Sequence, residues 1–136
     1  MAKNNKIKFF FKYYFPILCW MGIIFYFSSL RGNGLVNNPD FLFYLQRKGA
    51  HIFEYFVLAI LFWRILKFHK IKGKMLYFSF SIFTLIFAIS DEIHQTFVFG
   101  REGKLSDVGI DLVGVALAIF AIRILNRRDK IKKCIL

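Results

Sequence analysis

Long apolar runs separated by short polar intervals set the pattern of this chain. Crossing a bilayer takes roughly 20 mostly apolar residues, each adding 1.5 Å of helix. Four runs meet that length and predict spans over about residues 9–30, 49–68, 75–97 and 107–125. No stretch alternates apolar and polar positions with a period of two, so a β-barrel is not predicted. The expected fold class is all-α, an integral membrane four-helix bundle forming one domain over residues 1–136.

The first run resembles a secretory signal, with Lys3, Lys6 and Lys8 ahead of it. Its apolar core is longer than a signal's, and no small-residue cleavage site follows. Leu18 before Cys19 is too bulky for a lipoprotein processing site. The first span is therefore expected to be retained.

Charge adds the orientation. The chain carries a formal net charge of +12 and is 57% hydrophobic. Lys3, Lys6, Lys8, Lys12, Arg64, Lys67, Lys70, Lys72, Lys74, Arg123, Arg127, Arg128, Lys130, Lys132 and Lys133 fall on one side of the predicted spans. Only Arg31, Arg47, Lys48, Arg101 and Lys104 fall on the other. Short basic loops stay in the cytoplasm, so both termini are expected there, with the segments 31–48 and 98–106 outside. The same charge attracts anionic lipid headgroups. Because it sits between apolar runs rather than along a soluble stripe, no nucleic-acid partner is expected. A disulfide scaffold is excluded, since the two cysteines, Cys19 and Cys134, lie at opposite ends of the chain.

The acidic residues follow a different pattern. Asp40, Glu54, Asp91, Glu92, Glu102, Asp107 and Asp111 gather at the outer ends of the spans, although the topology rule does not require it. At 100° per residue, Lys48, His51, Glu54, Tyr55 and Leu58 share an arc of about 120° on the second span. Asp91, His94 and Gln95 share a face of the third span, with Glu92 at its edge. If the third helix continues through Phe97–Phe99, Asp91 lies inside the layer rather than at its rim. On the fourth span, Ser106 or Asp107 suits the helix N-cap. Asp111, Gly114, Ala118 and Ala121 form one face, and Gly114-xxx-Ala118 is a small-xxx-small pattern that lets helices approach closely in lipid. Lys48, His51, Glu54, Tyr55, Asp91, Glu92, His94, Gln95, Arg101, Asp107 and Asp111 are thus the candidate ligand-binding residues. Charged groups within a membrane are costly unless paired, and by default they mark a function.

These residues also carry a resemblance. Phe25-Tyr26-Phe27-Ser28-Ser29 closes the first span. Lys48-x-x-His51-x-x-Glu54-Tyr55-x-x-Leu58, Asp91-Glu92-x-His94-Gln95-x-Phe97-x-x-x-Arg101 and Asp107-x-x-x-Asp111-x-x-Gly114 follow in order. Together they resemble the motifs of the VanZ-like family of small integral membrane proteins, associated with teicoplanin resistance. Phe99 departs from the pattern, which has a proline there, and Asp111 takes the acidic option where many members carry Asn. The resemblance implies four membrane helices and a place in the envelope of a Gram-positive bacterium. For some members it implies a part in resistance to lipoglycopeptide antibiotics. It implies no settled mechanism.

Three readings stay open at this point. The first is an outward-facing pocket in the cell membrane that binds a lipid-linked or lipophilic envelope ligand, with walls from Phe53, Tyr55, Phe97 and Phe99. The second is a membrane-embedded hydrolase or transferase acting on a lipid-linked precursor. There His51, Glu54, Asp91 and His94, as i,i+3 pairs on facing helices with Asp111 adding an oxygen, can hold Zn²⁺ or another divalent metal, although the spacing matches no zinc-protease signature. The third is a small proton-coupled transporter, which at this size calls for a homo-oligomer. Whether the chain is an enzyme is left undecided, and no cofactor is predicted.

Overall fold

The structure is a computed structural model describing residues 2–30, 41–101 and 103–135. Arg31, Asp40 and Glu102 lie outside the described residues, as do the side chains of Lys3 and Cys134. Among the described residues there are four helices: α1 (Ala2–Ser29), α2 (Phe41–Phe68), α3 (Gly73–Gln95) and α4 (Leu105–Ile135). Each contains a segment long and apolar enough to cross a membrane: Lys6–Ser29, Leu45–Phe68, Gly73–Gln95 and Leu105–Arg127. The helices outrun the apolar stretches because polar residues such as Gln46, Arg47 and Lys48 continue a helix well. Hydropathy marks the lipid boundary, not the end of the hydrogen-bond ladder.

α2 is the central element and packs against α1, α3 and α4, and α1 packs chiefly against α2 and α3. One core cluster joins Ile17 and Ile24 of α1 to Tyr55, Leu58 and Ile65 of α2 and Phe87 and Ala88 of α3. A second joins Ala59 and Leu66 of α2, Leu76 and Phe80 of α3, and Val115, Ala118 and Ile122 of α4. Phe62 and Phe83 stack between α2 and α3 with ring centroids 3.9 Å apart. Phe11, Phe15 and Leu18 of α1, Phe78 and Ile86 of α3 and Leu117 and Phe120 of α4 remain exposed. In water, patches this apolar would drive association; here they are the surface that lipid covers.

α2 and α4 approach one another closely. A Cβ on Gly114 would collide with the Ile52 carbonyl and the Phe56 amide of α2. The face Asp111–Gly114–Ala118 is buried, so the small-residue pattern turns Asp111 into the bundle.

α3 stops at Gln95, and Thr96–Gly100 form turns, with Gly100 in the left-handed region at φ 77°. Asp91 therefore sits one helical turn from the end of α3, not deep in a helix running on through Phe99. Phe97 and Phe99 point outward, 83% and 76% exposed. Neither they nor Phe53, which is also exposed, line the cavity described below.

Candidate functional site

The α1 C-terminus, the first turns of α2, the last turns of α3 and the start of α4 meet at the end of the bundle opposite both chain termini. The candidate residues collect there in three groups.

The first group surrounds Asp91, which is fully buried. The Ser28 hydroxyl of α1 donates to Asp91 Oδ2 at 2.7 Å. Gln95 Nε2, one turn along α3, donates to the same oxygen at 3.0 Å and to Ser28 Oγ at 3.3 Å. Asp91 Oδ1 and the buried Tyr55 hydroxyl have no hydrogen-bond partner among the described residues.

The second group joins α2, α3 and α4. His51 Nδ1 lies 3.2 Å from Asp111 Oδ1. The backbone N–H of Lys104 donates to Glu92 Oε2 at 2.9 Å. A tight approach fixes that amide, since a Cβ on Gly103 would strike the Glu92 carbonyl and the Thr96 methyl. Lys48 of α2 pairs with Asp107 of α4.

The third group closes α1. Arg101 Nη2 donates to the Phe27 carbonyl at 2.7 Å and Nε to the Leu30 carbonyl at 2.9 Å. These carbonyls belong to the last turn of α1, where no intrahelical donor remains. Burial pushes the Arg101 pKa below its usual value, and neighbouring Arg47 adds to this, while Asp91, Glu54 and Glu92 oppose it. Arg47 and Arg101 both line the cavity described next. Beside Arg101, Ser29 Oγ donates to the Phe25 carbonyl at 2.7 Å and lies 2.9 Å from His94 Nε2. With the serine proton so placed, His94 Nε2 is the donor of the second bond.

A cavity of about 240 Å³ opens among these groups, lined by Phe27, Ser28, Leu30, Arg47, Ala50, His51, Glu54 and Arg101. The Trp20 indole N–H donates to the Glu54 backbone carbonyl at 2.9 Å, which ties α1 to α2 beneath it.

The sequence model of the VanZ/LLP1 family matches residues 13–126. The chain belongs to the VanZ/LLP1 family. It is a multi-pass membrane protein of four spans. No curated protein and no solved structure matches it.

Set against the sequence expectations, this VanZ/LLP1 protein brings the eleven candidate residues to one end of the bundle but does not merge them. The metal set expected from i,i+3 spacing is corrected. His94 turns toward α1 and Ser29, and Asp91 is engaged by Ser28 and Gln95. Glu54 faces the cavity. Among the described residues, the group at metal-ligand spacing is His51, Glu92 and Asp111. The cap expected of Ser106 or Asp107 is also corrected. α4 already begins at Leu105, so both lie inside its first turn, and the Asp107 carboxylate goes to Lys48. Arg101 donates to carbonyls of α1. Ser28 is the residue missed. The motif Phe27-Ser28-Ser29 marked it in the sequence, but a serine at a helix end reads as a local cap until Asp91, far along the chain, is seen to face it.

Proposed function

We infer that this VanZ/LLP1 protein lies in the bacterial cell membrane with both termini in the cytoplasm. Its cavity then opens outward and receives the polar head of a lipid-linked or lipophilic envelope ligand. The cavity carries the reading. Arg47 and Arg101 stand at it as two neighbouring cations, with Glu54 and His51 on the α2 side and apolar Phe27 and Leu30 alongside. Apolar walls with a few convergent polar groups are the usual form of a ligand site, and paired guanidinium groups suit an anionic head. The basic residues of the termini and the α2–α3 connection support the orientation.

Tolerance of teicoplanin-type antibiotics is the phenotype this reading predicts. The test expresses the chain, Arg47→Gln and Glu54→Gln at equal levels in a susceptible host and measures teicoplanin susceptibility. Lipids co-purifying with each protein are identified by native mass spectrometry. Both variants are expected to lose protection and the bound lipid. Full protection in both would remove the cavity from the account.

A further inference from the structure

We propose that His51, Glu92 and Asp111 form a binding site for one divalent transition-metal ion of the Zn²⁺ class. The three residues come one each from α2, α3 and α4. One ligand atom from each lies within 4.8 Å of the other two. They are 9%, 4% and 1% exposed, so this is an interior site rather than a surface acidic patch.

The decisive observation is the state of the carboxylate oxygens. Each carboxylate is held by one oxygen and leaves the other bare. Among the described residues, Glu92 Oε2 accepts from the Lys104 amide while Oε1 is buried without a partner. Asp111 Oδ1 faces His51 Nδ1 while Oδ2 is buried without a partner. A buried polar atom left unpaired loses its hydration with nothing in return, and the cost is greater when it is charged. A hydrogen-bonded structural network would therefore leave two dehydrated oxygens beside one imidazole. A dication gives both oxygens a partner and balances two carboxylates at once.

The ligand chemistry fits. Imidazole nitrogen and carboxylate oxygen bind Zn²⁺ at about 2.0–2.2 Å, which sets neighbouring ligand atoms about 3.4 Å apart around a tetrahedral ion. Asp111 already stands beside His51, with Nδ1 and Oδ1 3.2 Å apart, and rotation of its carboxylate turns the unpartnered Oδ2 to the ion. Three protein ligands leave a coordination position open, as in catalytic rather than structural sites. The Lys104 amide orients Glu92 as outer-shell partners orient metal ligands elsewhere. His51 also lines the cavity, so a molecule entering there would meet the imidazole that holds the ion. The proposal does not depend on what fills the cavity.

The test uses the full chain, purified in detergent with its affinity tag removed, stripped with EDTA and titrated with ZnCl₂. Bound zinc is counted by elemental mass spectrometry, and the melting temperature is followed as zinc is added. One zinc per chain is expected, with a melting temperature that rises with zinc as mass action requires. Glu92→Gln and Asp111→Asn should each weaken binding at least tenfold and abolish the rise. His69→Ala, which removes the imidazole beside Tyr14 at the other end of the bundle, should keep both. Wild-type protein that holds no stoichiometric zinc overturns the proposal, however the variants fold. So do triad variants that bind as wild type, or a His69→Ala protein that loses binding.

Discussion

Gly114 of α4 lies against the Ile52 carbonyl of α2, with no room for a side chain between them. That approach sets the spacing of the two helices that carry His51 and Asp111. Gly114→Ala should force them apart and cost about 1–3 kcal/mol, as overpacking does. Gly109, one and a half turns earlier, has open space around it. Gly109→Ala should be neutral or slightly stabilising. Melting temperatures of the two variants in one detergent check the contrast.

Ser28→Ala removes the α1 donor to Asp91 and leaves Gln95 as its remaining partner among the described residues. A loss of about 1–3 kcal/mol of stability follows from uncovering a buried acceptor. Ser28→Thr keeps the hydroxyl and should retain most of it. Thermal unfolding of both proteins distinguishes a lost hydrogen bond from a merely altered helix end.

Gly103→Ala should displace the connection that aims the Lys104 amide at Glu92. Zinc affinity is expected to fall about tenfold or more, the usual cost of disturbing an outer-shell partner. Titration of the EDTA-stripped variant beside wild type measures it.

Lys70 occupies the left-handed region at φ 61° in the turn after α2, where its neighbours close the helix through Ile71 N–H to the Leu66 carbonyl. That conformation costs a residue with a Cβ about 1–2 kcal/mol, and glycine is the usual occupant of such helix ends. Lys70→Gly should therefore stabilise the protein by about 1 kcal/mol, read as a raised melting temperature.

Sequence patterning exposed the spans and the inward face of α4 because both are local. Twenty apolar residues announce a crossing, and Asp111, Gly114 and Ala118 recur at helical spacing. Pairings across helices were less legible. Glu92 reads as marginal on a helical wheel, yet a backbone amide twelve residues on fixes it in the interior. His94 shares a wheel face with Asp91, yet it bonds to Ser29 of α1, which no wheel of α3 alone can reveal. Arg101 donates to backbone carbonyls, which every sequence has and none advertises.

Ser28 has a consequence for how the molecule is put together. The first helix meets its neighbours along an apolar stripe and through a few hydrogen bonds, and Ser28 near its end plugs the space beside Asp91. Without that plug the carboxylate would face hydrocarbon. Chains lacking the N-terminal segment should therefore fail by admitting lipid to an acid, not simply by losing greasy surface.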